Sequence, residues 1–308
     1  MFSRYMNKAK DIKKDFLNKR VFFGYPKALI YTLSPYTHIG NSQRHADILR
    51  YLENEYADII RKYKSLDSIS SNPNPIADNS PIWVLWLQGE DCMPEIVRKC
   101  VNSVRRNAQK HPVHLLSKDN ISDYVDDCFD FNRVNEGDYK ISRTHYSDLL
   151  RMQLLSKYGG LWIDSTVYMS KPMPKFHSSI FTISHKGGSK RHVLNGSMWT
   201  AWLWGGAKDA IFPRFAYEMF TAYWGKENHL IDYYLIDYLA AVAFRNFSNF
   251  QKEVLSLPKE NPYPNKLMGV VNKPYIASEL NAILDGQIFH KLNWRMNIAD
   301  GDVMFKHI

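Results

Sequence analysis

The stretch that decides the fold runs from His145 to Thr166 and reads HYSDLLRMQLLSKYGGLWIDST. Its first part predicts a helix that carries Asp148 and Arg151 on one face, because residues three apart are neighbours on a helix. The Gly-Gly pair that follows can end this helix and turn the chain sharply. A short apolar strand then ends at Asp164, and the ends of strands are where α/β proteins bind ligands. The stretch therefore predicts a helix–turn–strand unit that holds a polyhydroxylated, anionic ligand.

Strands and helices alternate on both sides of this stretch. The run IWVLWLQ at 82–88 lies between a proline and a glycine and has the composition of a buried strand. Pro94 begins a helix with its apolar residues on one stripe. Further strands are predicted at 112–116, 161–169 and 180–184. This alternation is typical of an α/β domain with a mixed, mainly parallel sheet.

The chain divides by composition into three parts. Residues 1–67 are predicted to be mainly helical and basic, with one helix at 46–63. Residues 68–81, SISSNPNPIADNSP, have the composition of a linker or surface loop. Residues 82–308 form the main domain, in which the apolar segment 229–244 is predicted to be a buried helix.

The composition limits the class of protein. Of the 308 residues, 45% are hydrophobic, as in globular domains. No apolar run approaches the roughly 18 residues of a membrane span, and the first residues lack the apolar core of a secretory signal. The three cysteines, Cys92, Cys100 and Cys128, form no CxxC pair. This cysteine usage is typical of the reducing cytoplasm.

The basic charge is concentrated at the start of the chain. The formal net charge is +9, and residues 1–27 alone hold eight Lys or Arg against two Asp. Apolar residues such as Phe2, Ile12, Phe16 and Leu17 recur among these charges at roughly helical spacing. Two interpretations stay open: peripheral contact with an anionic membrane, or a solvated helix packed on the main domain. No motif for nucleic acid is present, so no nucleic-acid partner is expected.

Three segments together resemble a known family. The segment SDLLRMQLLSKYGGLWIDSTVY at 147–168 resembles the signature of the capsular polysaccharide synthesis glycosyltransferases. These enzymes are relatives of the DXD sugar-binding transferases and, more distantly, of the large glucosylating toxins. The likeness covers about 82–245, including WVLWLQG at 83–89 and IDYYLIDY at 231–238. It implies a GT-A fold, which is an α/β fold with a Rossmann-like nucleotide-binding core.

The resemblance also implies a function. The expected reaction moves a hexosyl group from a nucleotide diphosphate sugar, UDP-galactose or UDP-glucose, to a lipid-linked saccharide in surface polysaccharide synthesis, with retention of configuration. A dTDP- or GDP-deoxyhexose donor such as one of rhamnose is the alternative within this pathway. A hydrolase or phosphotransferase of sugar nucleotides and a non-catalytic basic protein are the rival classes of function. The expected location is the cytoplasm, peripheral to the inner face of the cell membrane.

The resemblance also implies roles for the residues of this chain that match the family signature. Trp86 is expected to stack on the base, while Asp148 and Arg151 contact the donor sugar and the phosphate side. Asp164 is expected to contact the ribose and sugar or a metal ion. The implied donor contacts are Trp86, Gln88, Asp148, Arg151, Gly160, Asp164 and Ser165. The expected catalytic residues are Asp164 and Arg151, together with Asp232, which is the candidate for the carboxylate that an inverting reaction would need at the acceptor.

One position departs from the DXD pattern, and it leaves metal use open. Thr166 stands where the second aspartate is expected, and a neutral hydroxyl binds Mn²⁺ or Mg²⁺ more weakly than a carboxylate. A metal could still be held by Asp164 with residues of the C-terminal segment ADGDVMFKH, where Asp302 and His307 are the chosen candidates and Asp300 is a further one. Alternatively, Arg151 and Lys306 neutralise the diphosphate without a metal.

The acceptor side is the least defined part of the prediction. Trp199 and Trp202 are expected to stack on acceptor sugars, with core packing as the alternative. Asp232 is expected to bind or deprotonate the acceptor hydroxyl, or to favour a helix dipole in the first turn of its helix. His145 can reach the donor pocket or cap its helix. The basic loop 186–192 can clamp a phosphate or remain solvated.

Overall fold

A central five-stranded sheet organises the molecule. The computed structural model describes residues 2–69, 74–126, 141–184, 194, 196–259 and 261–308, with side chains from residue 9 onwards. The strands of the main sheet are β1 (Ile82–Leu85), β2 (Val113–Leu116), β3 (Gly160–Ile163), β5 (Ile180–Thr182) and β6 (Leu203–Gly206). A second, two-stranded sheet pairs β4 (Val167–Met169) with β7 (Phe289–Lys291).

The strand directions confirm the predicted fold class. The order in the main sheet is β2-β1-β3-β6-β5, in which β1 is parallel to both β2 and β3. The strand β6 runs antiparallel to both of its neighbours, so four of the five strands point the same way. The sheet is therefore mixed and mainly parallel, within an α/β architecture.

Helices surround the two sheets. Their bounds are α1 (Phe2–Thr37), α2 (Asn41–Glu55), α3 (Ala57–Ile69), α4 (Glu95–Asn107), α5 (Arg143–Tyr158), α6 (Ile211–Lys226), α7 (Leu235–Asn246), α8 (Ser248–Ser256) and α9 (Ala277–Asp285). Short 3₁₀ turns lie at Glu90–Cys92, Ile121–Asp123 and Met304–His307. Helix α1 is kinked at Gly24, whose φ of 73° is not helical.

Each face of the main sheet packs on a different hydrophobic cluster. Side chains alternate along a strand, so Trp83 and Trp162 point to one face while Ile82 and Leu161 point to the other. The predicted stripe of α4 is buried: Val97, Val101 and Val104 pack on the second face, whereas Ile96 and Cys100 belong to a third cluster with residues near the C-terminus. Helices α2 and α3 pack with α6 and α7 on the first face, in the same cluster as Trp83. The N-terminal helices α2 and α3 are thus part of the core of the main domain.

The Gly-Gly pair ends α5 and brings β3 against the chain before β1. Gly159 and Gly160 have φ of 70° and 99°, a region that L side chains rarely adopt. A Cβ on Gly160 would lie 2.1 Å from the carbonyl oxygen of Pro81. The next amide, of Leu161, donates to this same oxygen at 2.8 Å. Gly160 was predicted to contact the donor, but the structure places it against the backbone of Pro81.

Three predicted elements begin or end elsewhere. The strand predicted at 161–169 is two strands, because the chain turns at Asp164–Thr166 and the amide of Val167 donates to the Asp164 carbonyl at 2.9 Å. The helix predicted at 229–244 begins only at Leu235, so Asp232 precedes it. The helix predicted at 46–63 is interrupted at Tyr56, between α2 and α3.

Candidate active site

Arg151 forms the centre of a buried polar cluster. It lies in the middle of α5, where Asp148 precedes it by three residues, and its side chain is only 4% exposed. The guanidinium lies 3.1 Å from the carboxylate of Asp148 and 3.3 Å from that of Asp164. It also donates to the carbonyl of Ala201 and stacks over the ring of Trp162 at 4.9 Å. The structure therefore brings together the helix and strand residues that the sequence predicted to act together.

Asp164 is the carboxylate of this cluster that is open to a ligand. It lies in the turn after β3, with its side chain 28% exposed. Its Oδ1 accepts a hydrogen bond from Trp162 Nε1 at 2.9 Å, and its Oδ2 accepts one from Lys291 Nζ at 2.7 Å. Burial opposes ionisation, but the charges of Lys291 and Arg151 and these hydrogen bonds hold the pKa of Asp164 below its usual range. Asp164 is therefore ionised at neutral pH.

Two other carboxyl groups near Arg151 titrate close to neutral pH. Burial raises the pKa of Asp148 to about 7, and the charges of Asp164 and Asp237 add to this effect while Arg151 opposes it. Burial likewise raises the pKa of Asp237 to about 6, although a hydrogen bond from Trp199 Nε1 at 3.1 Å lowers it. A carboxyl that is partly protonated at neutral pH can donate as well as accept hydrogen bonds, which suits contact with sugar hydroxyls.

Lys291 is a site residue that the sequence analysis missed. It ends β7, which pairs with β4 so that Lys291 lies opposite Val167. Its Nζ donates to Asp164 and, at 2.8 Å, to Thr166 Oγ1, and it lies 5.6 Å from the centroid of the Trp202 ring. Lys291 is 127 residues from Asp164 in the chain, so no local pattern could have identified it.

An aromatic pair lies at the same edge of the sheet. Trp86 directly follows β1 and is half-buried, and its ring meets that of Trp294 edge-to-face at 5.8 Å. Arg295 lies over the Trp294 ring at 5.0 Å. Since β1 and β3 are parallel neighbours, Trp86 and Asp164 leave the sheet at the same edge, where open α/β sheets bind ligands. Trp294 was not among the predicted residues.

Two further predicted donor contacts, Gln88 and Ser165, lie close in the chain to Trp86 and Asp164. Gln88 is exposed, two residues after Trp86. Ser165 is half-buried in the turn between Asp164 and Thr166. Of the predicted donor residues, Trp86, Gln88, Asp164 and Ser165 thus follow the ends of β1 and β3, Asp148 and Arg151 lie on α5, and Gly160 lies at the start of β3.

The donor set at Asp164 does not fit Mn²⁺ or Mg²⁺. These ions need several hard oxygen ligands, and here one carboxylate is flanked by two cations, Lys291 and Arg151. The hydroxyl of Thr166 accepts a hydrogen bond from the same lysine. Within the described ranges, no group of three or more His, Cys, Asp and Glu side chains is arranged to hold a metal ion.

The C-terminal candidates for the metal shell lie apart from Asp164. His307 Nε2 lies 2.5 Å from Asp302 Oδ1, and the His307 ring stacks on Tyr275 with a centroid distance of 3.5 Å. Asp300 and Lys306 are exposed in the same segment. The predicted set of Asp164, Asp302 and His307 is therefore not brought together, because the C-terminal pair is satisfied within its own segment.

The two tryptophans predicted to stack on the acceptor lie in different surroundings. Trp199 is 2% exposed and packs in the core, with its ring 6.0 Å from that of Phe244. It is buried too deeply to stack on an acceptor, and its Nε1 orients Asp237 instead. Trp202 is half-buried and lies beside Lys291.

Asp232 lies outside the cluster around Arg151. It is 3% exposed, 3.3 Å from Arg44 and 3.8 Å from Lys19, and its Oδ1 accepts from the amide of Tyr234 at 3.1 Å. The prediction that it occupies the first turn of a helix is wrong, because α7 starts three residues later. Its carboxylate therefore faces two buried cations that belong to the N-terminal helices.

A cavity of about 850 Å³ lies between α1 and the main domain. Asp232, Tyr233 and Tyr234 line it, together with Trp224 and His145. His145 is buried in the first turn of α5, which Ser142 caps: Ser142 Oγ accepts from the His145 amide and lies 2.6 Å from His145 Nδ1. The predicted basic loop 186–192 lies outside the described residues.

Comparison with known proteins identifies the family. Residues 31–308 match the family described as Capsular polysaccharide synthesis protein. A relative from Annulohypoxylon truncatum, named O-glycosyltransferase braB, is 36% identical over 107 residues, which are 31% of this chain and 25% of the relative. This chain thus spans about a quarter of that relative's length. A solved structure titled PaToxG Glycosyltransferase aligns with 67% of this chain and 83% of its own, at 11% identity and a TM-score of 0.41. The chain belongs to the capsular polysaccharide synthesis protein family.

Proposed function

We propose that this chain is a glycosyltransferase that moves a hexosyl group from a nucleotide diphosphate sugar to the hydroxyl of a saccharide acceptor. The observation that carries the proposal is the partly exposed carboxylate of Asp164, held by Arg151 and Lys291 where parallel strands end. The family description and the name of the relative from Annulohypoxylon truncatum support the same class of reaction.

The chemistry requires charge stabilisation at two places. The bond between the anomeric carbon and the phosphate oxygen breaks, so negative charge develops on the leaving diphosphate while the sugar gains oxocarbenium character. Arg151 and Lys291 are the cations placed to stabilise the diphosphate. Asp148 and Asp237 are placed to hold sugar hydroxyls, and the Trp86–Trp294 pair offers an aromatic surface for the base.

We propose a UDP-hexose as the donor, with UDP-galactose or UDP-glucose first, and retention of configuration at the anomeric carbon. In a retaining transfer the leaving phosphate accepts the acceptor proton, so no separate base is required. The position of Asp232, between Arg44 and Lys19, favours this route over an inverting one. A dTDP- or GDP-deoxyhexose is the alternative donor.

A screen of nucleotide sugars tests the proposed function. Thermal stabilisation and transfer are measured for UDP-galactose, UDP-glucose, dTDP-rhamnose and a GDP-sugar, each with a saccharide acceptor and with water alone. We expect one donor to raise the Tm and to give a product only when the acceptor is present. NMR should show that the product has the same anomeric configuration as the donor. Hydrolysis at the same rate without an acceptor would contradict a transferase, and an inverted product would contradict retention.

For the acceptor, we propose that a lipid-linked saccharide uses the cavity beneath α1. Tyr233 lines this cavity and also lies close to the active site: burial, and then the charges of Asp148 and Asp164, raise the pKa of its hydroxyl. Tyr233 and Tyr234 give the cavity aromatic faces, which pack well against the C–H faces of sugars.

We further propose that α1 lies on the inner face of an anionic cell membrane. Eight of the sixteen large apolar side chains that are exposed in the described part of the chain lie between residues 17 and 39. Leu17, Val21, Tyr25, Leu29 and Leu33 recur at every fourth position. Lys10, Lys13, Lys14 and Arg20 are exposed beside them, while Lys19 is buried against Asp15 and Asp232. Apolar and basic side chains together are typical of interfacial helices.

Flotation with lipid vesicles tests the membrane contact. No helix among the described residues has the length and apolarity to cross a bilayer, so the expected binding is peripheral and reversible. We expect the full chain to float with phosphatidylglycerol-rich vesicles and to remain at the bottom with phosphatidylcholine alone. The variant Val21→Asp/Leu29→Asp should lose flotation, whereas Leu255→Asp, an equally exposed apolar position on α8, should keep it. Equal flotation of both variants would remove α1 from the membrane contact.

A further inference from the structure

We propose that the ammonium group of Lys291 takes the place of a divalent cation at the donor diphosphate, so that the donor binds without metal. This inference rests on the proposed function, because it names the positive charge that binds the diphosphate of the sugar nucleotide. It is carried by the bridge that Lys291 makes between the first and third residues of the Asp164-Ser-Thr166 turn.

The bridge uses the two side chains that would otherwise hold a metal ion. Lys291 Nζ lies 2.7 Å from Asp164 Oδ2 and 2.8 Å from Thr166 Oγ1. An ammonium group has three N–H donors, and two of them are directed at these oxygens. The third can be offered to a phosphate oxygen. Lys291 therefore both orients Asp164 and presents a positive charge to the ligand.

The backbone fixes the lysine next to the turn. Its own amide donates to the Pro264 carbonyl at 2.7 Å, and the amide of Leu292 donates to the Thr166 carbonyl at 2.8 Å. The ammonium group lies over the Trp202 ring, 5.6 Å from its centroid, and the side chain is 21% exposed. A lysine held in this way loses little further conformational freedom when it binds a phosphate.

The charge balance explains why threonine suits this position. Asp164 carries one negative charge and faces two positive charges, Arg151 and Lys291, of which Arg151 is shared with Asp148. Lys291 therefore supplies the positive charge next to Asp164 that attracts a diphosphate and repels Mn²⁺ or Mg²⁺. A second carboxylate at position 166 would offset the charge of Lys291. Thr166 instead accepts the hydrogen bond of the lysine and adds no charge.

Binding of nucleotides by calorimetry tests the role of Lys291 on the full chain. UDP, dTDP, GDP and uridine are titrated in EDTA and again with Mn²⁺. We expect the wild-type protein to bind UDP equally well in both buffers. Lys291→Met should weaken UDP binding by about tenfold or more, as for loss of a charge-assisted hydrogen bond. It should leave uridine binding unchanged, because uridine has no phosphate.

The variant Lys273→Met is the matched control, since Lys273 is an exposed lysine that pairs only loosely with Glu279, at 3.8 Å. It should bind UDP as the wild type does. The proposal is wrong if the wild-type protein binds UDP with Mn²⁺ but not in EDTA. It is also wrong if a folded Lys291→Met protein binds UDP as tightly as the wild type does. Failure of the wild type to bind any of the three diphosphates in either buffer contradicts the proposed function itself.

Discussion

Replacement of Asp164 by asparagine is expected to lower kcat for glycosyl transfer by about 10²–10³-fold, the usual cost of losing one preorganised electrostatic contact. The amide is nearly the same size but carries no charge. It can still accept a hydrogen bond from Trp162, but it no longer balances Arg151 and Lys291. Lys291 then loses the anion that orients it towards the diphosphate, while Arg151 keeps its contact with Asp148.

The measurement is steady-state kinetics of the Asp164→Asn protein with the donor identified by the nucleotide-sugar screen. Because the contact acts mainly on the developing charge, we expect kcat to fall more than KM rises. Asp58→Asn is the matched control: the Asp58 side chain is 93% exposed on α3 and pairs with Arg61 of the same helix, so its loss should leave both constants unchanged. Activity of Asp164→Asn within a few-fold of the wild type would exclude Asp164 from the chemistry.

The central residues of the site could be predicted because they lie close together in the sequence. Asp148 and Arg151 share a face of one helix, and Asp164 ends the strand that follows, so the chain itself brings them together. Lys291 and Trp294 could not be predicted in this way. Their positions depend on the pairing of β4 with β7, two short strands far apart in the chain.

Trp199 and Asp232 lie in surroundings that differ from those expected, and the two differences have a common physical origin. Tryptophan suits both a buried core and a sugar-binding surface, and the tertiary packing of α7 decides that Trp199 is buried. Asp232 was assigned from a helix start that the structure moves to Leu235. Only the structure reveals the buried cations, Lys19 and Arg44, that hold it. Residue type restricts what a side chain can do, while its neighbours decide which role it takes.

Replacement of Gly160 by alanine is expected to destabilise the protein by roughly 4 kcal/mol or more, which is at the high end for single substitutions. The new Cβ would lie 2.1 Å from the Pro81 carbonyl oxygen and 3.0 Å from its carbonyl carbon, both of them backbone atoms that cannot rotate away. The φ of 99° adds strain of its own. To relieve the clash, β3 would have to move away from the chain that leads into β1.

Urea unfolding of Gly160→Ala beside Gly225→Ala measures this effect. Gly225 lies in the last turn of α6 with no atom within 4 Å of its added Cβ, so alanine there should raise stability by up to about 1 kcal/mol. Equal stability of the Gly160→Ala and wild-type proteins, together with weaker nucleotide binding, would instead support a direct donor contact at Gly160. A loss of folded protein with unchanged KM in the remaining fraction is the expected result, because the glycine acts through the position of β3.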